Sequence, residues 1–379
     1  MPQDKFRILV VDPGSTSTKI AVYLDDRPVF ARQLGHSDGD LQPFRGRPIL
    51  DQLPFRQSAI EAELAAAGHR LDDFDAVAGR GGLMRPLASG TYRVNEEMLD
   101  DLRLAPYGEH AANLGAFLAQ AMARASHAEA FVVDPVSVDE WSDIAHISGS
   151  ALAPRRCLSH ALNTKAVARR YACDRGTAYA DLRLIVAHLG SGISVSAHQG
   201  GLMIDGNLAG QEGPFSTERC GGLQLMKVVE LCFSGRYTER AIWDAFIREG
   251  GIYSYLGTRD LREVERRIER GDADAALVFD AMTYQTGKEI GAMATVLEGR
   301  VDAVLLTGGM AHCDRLISKL RTAVEWIAPV AVYPGEHELQ ALAEGALRVL
   351  RAEEPARELH ENARAVLFRD FQPWVPTLP

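Results

Sequence analysis

One pattern of hydrophobic and polar positions occurs twice along the chain. Arg7 to Asp12 is a β-branched apolar run that meets a Pro-Gly turn, and Ser17 to Leu24 then alternates polar with apolar residues. Leu182 to Leu189 is again apolar, a Gly-Ser-Gly turn follows, and Ile193 to His198 alternates. Apolar runs bounded by turn residues are typical of buried strands, and alternation is typical of strands with one buried face. The pattern predicts two strand–turn–strand units and indicates a structural duplication.

Apolar positions at helical spacing predict helices around these units. In residues 109–125, Leu114, Leu118 and Met122 lie on one face of a predicted helix. Strand-rich units followed by helices, and duplicated once, indicate two α/β lobes that face a cleft. The further predicted helices are 96–104, 224–249, 260–298, 312–326 and 337–350, and the further predicted strands are 28–34, 202–205, 302–307 and 331–333.

Composition and charge disfavour several classes of protein. A chain of 379 residues is long enough for two domains, and 46% hydrophobic with 24% charged residues is ordinary for a globular protein. The net charge of −10 disfavours nucleic acid and anionic lipid as partners. No apolar stretch is long enough to cross a bilayer, and the first apolar run is predicted to be a buried strand rather than a signal peptide. We therefore expect no nucleic-acid partner and no membrane insertion.

The cysteines indicate a reducing compartment. The chain has five of them, an odd and scattered set without a Cys-x-x-Cys pair. Zinc ribbons and disulfide frameworks are therefore poor interpretations, and reduced thiols in a cytoplasmic protein are the better one. The five are Cys157, Cys173, Cys220, Cys232 and Cys313.

The first turn carries side chains that suit an anion. Gly14 lets the backbone approach phosphate closely, and the hydroxyls and amides of Ser15 and Ser17 can donate to its oxygens. Lys19 adds a cation at the end of the turn, and Asp12 can hold a water of a magnesium ion. An ordinary Gly/Ser hairpin turn is the alternative interpretation.

Two later glycine turns strengthen the phosphate interpretation. The second turn runs from His188 through Gly190 to Gly192, but a valine stands where a dinucleotide fingerprint needs its third glycine. The chain also lacks a G-x-x-x-x-G-K-[ST] loop, so it is not predicted to be a P-loop enzyme. Gly308 and Gly309 follow a third strand. In a duplicated frame, each turn can contact one part of a nucleotide.

Nine segments follow one another along the chain between residues 7 and 351. They are VDPGSTSTKIAVY, GRGGLMRPLASGTYRV, VVDPVSVDEW, SDIAHISGSALAPRR, SHALNTKAVARRYA, AHLGSGISVSAH, GPFSTER, LLTGGMAH and APVAVYPGEHELQALAEGALRVL. Together, and in this order, they resemble the butyrate kinases. Those enzymes belong with the acetate kinases to the acetokinase family, within the broader group of actin-like, sugar-kinase-like and Hsp70-like ATPases.

The resemblance implies a fold, a reaction and an assembly. The fold is α/β, a duplicated actin-like (ribonuclease H-like) arrangement of two lobes with a nucleotide cleft between them. One domain is expected to comprise residues 1–145 with 345–379, and a nucleotide-binding, dimer-forming domain residues 146–344. The implied reaction is the reversible, Mg²⁺-dependent phosphorylation of butanoate, or a closely related short-chain acid, by ATP to give the acyl phosphate and ADP. A cytoplasmic homodimer or larger homo-oligomer is expected.

Three cationic or imidazole side chains acquire catalytic roles from the resemblance. Arg80, in a Gly-Arg-Gly-Gly loop, is expected to bind the substrate carboxylate, for which its planar fork is suited. Arg219 and His160 are expected to stabilise the transferring phosphoryl group. Without the resemblance, each would be interpreted as a surface arginine or a structural histidine.

Acidic residues supply the expected metal site. Asp134, which follows an apolar strand, matches a family residue near magnesium and the transferring group. Glu338 matches the magnesium-site glutamate of the family, and Glu336 is the other candidate. The alternatives are a turn-forming Asp before proline and acids at a helix N-terminus.

The preferred acid is expected to be larger than acetate. Ser159 stands where acetate kinases carry a bulky aromatic residue before the matching histidine, which leaves room for methylenes. Each buried methylene contributes about 0.8 kcal/mol, so this one change does not separate butanoate sharply from similar acids.

The chain departs from the usual butyrate kinase pattern in four places, at Asp12, Ser191, Cys220 to Gly222 and the tail from 352. Asp12 stands where asparagine is more typical, so its charge beside the phosphates is expected to change metal dependence or rate. The alternatives left open are a kinase for another short-chain or branched acid, a catalytically silent nucleotide-binding regulator and a sugar kinase.

Overall fold

The structure, a computed structural model, describes residues 5–362. In this range the chain forms two compact units. Unit 1 contains the chain up to Asp139 and the stretch from His337 onward, and unit 2 contains Glu140–Glu336. The domain boundaries expected after 145 and 344 lie several residues further along the chain. The expected return of 363–379 to the first domain lies outside the described residues.

Six strands belong to unit 1 and five to unit 2 within residues 5–362. Those of unit 1 are β1 (Arg7–Pro13), β2 (Ser17–Leu24), β3 (Arg27–Gly35), β4 (Ala76–Arg80), β5 (Thr91–Arg93) and β6 (Glu129–Val133). Those of unit 2 are β7 (Arg183–Leu189), β8 (Ile193–Gln199), β9 (Leu202–Gly206), β10 (Ala303–Gly308) and β11 (Val330–Pro334).

Helices surround both sheets. Over the described residues they are α1 (Asp38–Leu41), α2 (Leu53–Ala66), α3 (Glu96–Leu104), α4 (Leu114–Ser126), α5 (Ala161–Asp174), α6 (Leu225–Cys232), α7 (Glu239–Ile247), α8 (Gly251–Leu256), α9 (Leu261–Glu269), α10 (Ala273–Val296), α11 (Asp314–Val324), α12 (Glu338–Leu350) and α13 (Leu359–Asn362).

The sheet of unit 1 has the order β3-β2-β1-β4-β6-β5. Strands β1, β2 and β3 are antiparallel, whereas β4 and β6 continue the sheet parallel to β1. Leu9 and Val11 of β1 pack in one core cluster with Ile60 and Leu64 of α2 and with Leu118 of α4. Burial of this apolar surface fixes both helices on the sheet.

The sheet of unit 2 repeats that order. Its strands run β11-β10-β7-β8-β9, with β7, β8 and β9 antiparallel and β10 and β11 parallel to β7. An antiparallel triplet extended by two parallel strands therefore occurs in both units. The duplication indicated by the hydrophobic pattern is confirmed.

Most predicted elements are confirmed, but two long predicted helices are divided. The stretch 224–249 forms α6 and α7, and 260–298 forms α9 and α10. Gly271, with φ +86°, ends α9 after Arg270, and Asp272 caps α10 by accepting a hydrogen bond from an amide of its first turn. A glycine followed by an N-cap residue ends one helix and begins the next, although the spacing of apolar residues continues across the break.

Helices α2 and α5 were not predicted. The buried face of α2 begins with Arg56 and continues with Ile60 and Leu64, so its apolar stripe is incomplete in the sequence. Helix α5 buries polar side chains, including Asn163 and Lys165. Periodicity fails where polar residues occupy buried helix positions.

No helix within residues 5–362 has the length and apolarity that spanning a bilayer requires.

Candidate active site

In both units, the residues expected to be functional lie where parallel strands end. In unit 1, Asp12 lies in β1, Arg80 ends β4 and Asp134 follows β6. In unit 2, His188 of β7 pairs in register with Thr307 of β10. Ligands of open α/β sheets bind beyond the carboxyl ends of their strands, so both edges are candidate sites.

The β1–β2 turn presents unpaired backbone amides. Gly14 N donates to Ser17 O at 2.8 Å and closes the turn. Ser15 and Thr16 at its tip are exposed, and neither amide has a hydrogen-bond partner among the described residues. Free amides at a tight turn form a concavity suited to an anion.

The structure brings Arg80, Asp12, Lys19 and Glu338 together. Nη1 of Arg80 lies 2.8 Å from Oε1 of Glu338 and 3.2 Å from Oδ1 of Asp12. Lys19 Nζ lies 3.7 Å from Oε2 of Glu338. Both carboxylates are almost completely buried, whereas the Arg80 side chain keeps 22% exposure. Here the guanidinium expected to hold the substrate carboxylate already contacts two protein carboxylates.

Of the two glutamates considered for the metal site, only Glu338 is in this cluster. His337 adopts φ +51° immediately before α12, and Glu338 is the first residue of that helix. Glu336 belongs to unit 2, where its carbonyl oxygen accepts a hydrogen bond from Nδ2 of Asn163.

The glycines around Arg80 are required by packing. A Cβ on Gly81 would overlap Pro135, a Cβ on Gly82 would overlap Asn113, and a Cβ on Gly115 would overlap the carbonyl of Arg80. The Gly-Arg-Gly-Gly loop thus passes against the chain near the start of α4 with no room for side chains. Close packing of the backbone therefore accounts for these glycines.

Asp134 has a strained backbone. Its φ is +36°, uncommon for a residue other than glycine and costing on the order of 1–3 kcal/mol. The side chain is buried, and its Oδ1 accepts a hydrogen bond of 2.7 Å from the amide of Gly90. Strain of this kind clusters at functional sites, which favours the role expected for Asp134.

The acidic side chains of unit 1 are hard oxygen donors of the type that magnesium prefers. No group of three or more His, Cys, Asp and Glu within residues 5–362 is arranged to hold a metal by itself. Magnesium in phosphoryl-transfer sites is held by one or two carboxylates with substrate phosphates and water. Asp134 and Glu338 therefore fit such an ion only as partial ligands.

Two histidines stack in unit 2. The rings of His160 and His188 are 3.9 Å apart at an interplanar angle of 11°. Nδ1 of His160 lies 2.8 Å from the hydroxyl of Ser194, and Nδ1 of His188 donates to Oδ1 of Asn163 at 2.9 Å. His160 immediately precedes α5, so the helix start positions its ring beside β7. These contacts fix both ring planes.

Arg219 is a partly buried cation with few partners. Its Nη1 donates to the carbonyl of Ala209 at a long 3.4 Å, and its Nε, which is shielded from solvent, has no hydrogen-bond partner among the described residues. No carboxylate among the described residues forms an ion pair with it. Burial lowers the pKa of Arg219, although the nearby Glu218 charge acts in the opposite direction. An unsatisfied buried donor of this kind is costly unless an anion completes it.

The second glycine turn makes room for these side chains. A Cβ on Gly192 would lie 2.7 Å from Nη1 of Arg219, and a Cβ on Gly190 would lie 2.9 Å from Nε2 of His188. Neither glycine has a positive φ. Both positions therefore require glycine because a neighbouring functional side chain occupies the space in which a Cβ would lie.

The two glycines of the third turn, Gly308 and Gly309, differ in what the fold requires of them. Gly308 has φ +92°, a Cβ there would overlap Leu189, and its amide donates to Gly335 O at 3.0 Å. Gly309 has open space where a Cβ would be. Gly308 is thus required by the fold, and nucleotide contact at either position stays a prediction.

Sequence reasoning missed three residues that position the site. Asn163 orients His188, Ser194 contacts His160, and Arg56 contacts the β1–β2 turn. Asn163 lies three residues after His160, a spacing that could have indicated it. Ser194 and Arg56 carry no local signal, because only the fold brings them to their partners.

Comparison with known proteins agrees with this architecture. Residues 150–327 match the acetokinase family. Butyrate kinase 1 of Clostridium acetobutylicum is 46% identical over 354 residues, which cover 93% of this chain and 99% of that relative. The acetate kinase of Porphyromonas gingivalis superposes with a TM-score of 0.74 at 18% identity over 91% of this chain and 100% of that one. A propionate kinase of Francisella tularensis gives 0.68 at 16% identity over 90% and 98%.

These structural neighbours have the duplicated actin-like ATPase fold, so the fold class expected from the sequence is confirmed. The chain belongs to the acetokinase family. The resemblance to the butyrate kinases is likewise confirmed. The chain is therefore a phosphotransferase whose acceptor is a carboxyl group, and kinases of this family use ATP with a divalent metal ion.

Proposed function

We propose that the chain transfers the γ-phosphoryl group of ATP reversibly to butanoate. A carboxylate oxygen of the acid forms a bond to the γ-phosphorus while the bond from that phosphorus to ADP breaks, which yields butanoyl phosphate and ADP. The identity of 46% with a butyrate kinase over almost the whole chain supports this acid. Acyl phosphates and ATP have comparable transfer potential, so the reaction can run in either direction.

The environment of Arg219 carries this proposal. Its partly buried guanidinium pairs with no carboxylate among the described residues, and its solvent-shielded Nε has no hydrogen-bond partner there, so the group is poised for an anion. A phosphoryl group in transfer spreads negative charge over three oxygens, and preorganised cations stabilise that charge most effectively away from water. We assign Arg219 to this role, with His160 as a hydrogen-bond partner of the same group.

The remaining roles are assigned to unit 1 and to the glycine turns of unit 2. Arg80 binds the carboxylate of the acid, and the amides of the β1–β2 turn with Lys19 bind nucleotide phosphate. Asp134 and Glu338 are proposed to hold Mg²⁺ together with phosphate oxygens and water, and the bound ion would neutralise phosphate charge. The glycine turns at 190–192 and 308–309 are proposed to contact the nucleotide. The free thiols of all five cysteines are consistent with the proposed cytoplasmic location.

A hydroxamate assay over a panel of C2 to C6 acids tests the proposed substrate. Purified protein with Mg-ATP is expected to form acyl phosphate fastest from butanoate, as measured by kcat/KM. A clear maximum for a branched or longer acid would assign the enzyme to that acid instead. ATP binding without acid-dependent turnover would support the silent regulator.

Asp12→Asn is expected to strengthen binding of the acid. The change removes a negative charge 3.2 Å from Nη1 of Arg80, so the substrate carboxylate meets less competition for that guanidinium. We expect KM for butanoate to fall about three- to tenfold, which corresponds to roughly 0.7–1.4 kcal/mol. Arg80→Ala should raise the same KM, and adding Asp12→Asn to it should then have no effect. If the main change were a higher KM for Mg-ATP, Asp12 would serve the metal instead.

An exposed apolar surface on α6 and α7 supports self-association. Neither helix buries a residue, although the stretch 223–243 is rich in large apolar side chains. We define the α6–α7 surface by its exposed residues. They are Leu223, Leu225, Met226, Val229, Phe233, Tyr237 and Trp243. Exposed large apolar side chains in such number are typical of protein interfaces, and we propose a second copy of this chain as the partner that covers them.

Charges on the α6–α7 surface are expected to dissociate the assembly. Leu225→Glu combined with Phe233→Glu should lower the molar mass measured by light scattering to that of the monomer, because two carboxylates would be buried unpaired. Leu104→Glu is a matched control, since Leu104 is 77% exposed in unit 1 and Leu225 is 73% exposed. A monomeric wild type, or an unchanged mass in the double variant, would refute this interface.

A further inference from the structure

A completely buried arginine lies behind the exposed β1–β2 turn. Arg56 begins the inward face of α2, on which Ile60 and Leu64 follow at intervals of one turn. The two apolar residues pack in the core of unit 1, so the docking of α2 holds the Arg56 side chain in a fixed place. Its guanidinium extends to residues 14–18.

The guanidinium donates to four oxygens of the turn. Nη1 of Arg56 contacts the carbonyls of Gly14 at 2.8 Å and Ser17 at 3.1 Å and the hydroxyl of Thr18 at 3.0 Å. Nη2 lies 3.4 Å from the carbonyl of Ser15. One planar group thus holds several successive residues of the turn in a single conformation.

These contacts orient the free amides of the turn. In a trans peptide the N–H and the C=O point to opposite sides. Since the carbonyls of Gly14 and Ser15 point towards Arg56, the amides of Ser15 and Thr16 point away from it. Those two amides are the ones without partners in the described part of the chain. Arg56 therefore shapes the face on which an anion can bind.

The charge of Arg56 is not neutralised by an acidic residue. Its other contacts are with Oε1 of Gln52, from Nε at 3.0 Å and Nη2 at 2.9 Å. Among residues 5–362 no carboxylate forms an ion pair with it. Burial lowers the pKa of Arg56 to about 10, so the group stays positively charged at neutral pH. A buried cation without a counter-charge attracts an anion on the far side of the turn.

A histidine, His36, contacts the same turn. Nε2 of His36 lies 2.9 Å from the hydroxyl of Thr18, and its backbone amide donates to Thr16 O at 2.8 Å. Burial and the charge of Arg56 both lower the pKa of His36, against a smaller opposite effect of Asp40. Arg56 thus supplies a positive charge to the carbonyls of the turn, and His36 supplies a further hydrogen bond.

We propose that Arg56 is a positioning residue that sets the affinity of the β1–β2 turn for nucleotide phosphate. It acts by fixing the carbonyls of the turn, and by placing a buried positive charge behind the amides that would bind the phosphate. This role rests on the proposed function, in which the turn binds nucleotide. Arg56 does not itself contact the ligand.

Direct measurement of nucleotide binding tests this role. Mg-ATP and Mg-ADP are titrated into wild-type protein, Arg56→Met and Arg56→Lys by calorimetry, and KM for butanoate is measured in parallel. We expect Arg56→Met to raise both dissociation constants at least about tenfold. Arg56→Lys, which keeps the charge but not the planar fork, should give an intermediate value. KM for butanoate should stay within about twofold, because the substitution weakens the nucleotide phosphate site at the β1–β2 turn and leaves the proposed butanoate site at Arg80 unchanged.

Arg85→Met is the control for a merely structural effect. Arg85 is a partly buried arginine of the same unit, paired with Asp101 and Glu97, and it has no assigned part in binding. Its replacement should lower the melting temperature without changing nucleotide affinity. Wild-type affinity in a folded Arg56→Met protein would overturn the proposal. Failure of the wild type to bind Mg-ATP would instead overturn the proposed function.

Should Arg56→Met fail to fold, Arg56→Lys and Gln52→Leu carry the test. Gln52→Leu removes the side-chain acceptor that holds Nε and Nη2 of Arg56 and leaves the charge in place. Both variants should raise the dissociation constant of Mg-ATP at least about threefold. Unchanged affinity in both would reject Arg56 as a positioning residue.

Discussion

Arg219→Met is expected to lower kcat by about three orders of magnitude, while the affinity for Mg-ATP changes little. Arginines that stabilise a transferring phosphoryl group contribute on the order of 10³–10⁵ to kcat. Because that contact strengthens only as charge develops in the transition state, its loss lowers kcat more than it raises either KM. Initial rates of acyl phosphate formation and calorimetric titration of Mg-ATP measure the two effects separately.

The same variant is expected to be more stable than the wild type. Arg219 is partly buried, lacks a carboxylate partner within the described chain and leaves its solvent-shielded Nε without a hydrogen bond there. Methionine retains much of the side-chain volume and removes a charge whose burial is unfavourable. For a unit of about 200 residues, each kcal/mol gained raises the melting temperature by roughly 2–4 °C. A fall in both melting temperature and kcat would assign Arg219 to the fold rather than to the reaction.

Replacement of Arg56 and replacement of Arg219 are therefore expected to change stability in opposite directions. Every donor atom of Arg56 is close to an oxygen, so its loss leaves carbonyls unpaired and lowers the melting temperature. Arg219 has no comparable set of acceptors and should show the reverse. Residues that serve a site rather than a fold are known to lower stability while they support activity.

The duplicated sheet could be predicted because its signals are local. Strands β1 and β2, and again β7 and β8, follow from an apolar run, a glycine turn and an alternating run within about 20 residues. The helix at 109–125 is found at Leu114–Ser126, after a short 3₁₀ turn, because its apolar face has period 3.6. Strands and helices whose sequence pattern lies within one short stretch of the chain are therefore found in the structure.

The contacts that define the site could not be predicted from such windows. Arg80 meets Glu338 across 258 positions of sequence and Asp12 across 68, and no periodicity encodes either pairing. The family resemblance identifies Arg80 as a functional residue, but it does not predict that Arg80 contacts Asp12 and Glu338. The glycines beside it are required by close packing against Gly115, Asn113 and Pro135, which the sequence pattern does not show. Backbone proximity of this kind is a property of tertiary structure alone.

Gly192→Ala is expected to lower kcat at least about a hundredfold while leaving the fold intact. The glycine has no positive φ, so alanine is compatible with the backbone. Its Cβ would nevertheless lie 2.7 Å from Nη1 and 3.0 Å from Cζ of Arg219. A flexible side chain can move away at small cost in stability, but a misplacement of about 1 Å at a reacting group is enough for such a loss.

A double-mutant cycle determines whether the effect passes through Arg219. Gly192→Ala added to Arg219→Met should cause almost no further loss, since the displaced group is already absent. Gly291→Ala is the control, because Gly291 lies within α10 with open space at the Cβ position and should keep full activity. Melting temperatures near that of the wild type should accompany both single glycine variants.

The nucleotide affinity of Gly192→Ala separates two explanations of the second glycine turn. If the turn binds phosphate through close backbone approach, as its sequence suggested, the added methyl group weakens Mg-ATP binding even in the Arg219→Met background. If the glycine exists to accommodate Arg219, affinity stays near that of the wild type and only kcat falls. The 2.7 Å separation favours the second result, because the nearest atom to the missing side chain is a guanidinium nitrogen of the protein itself.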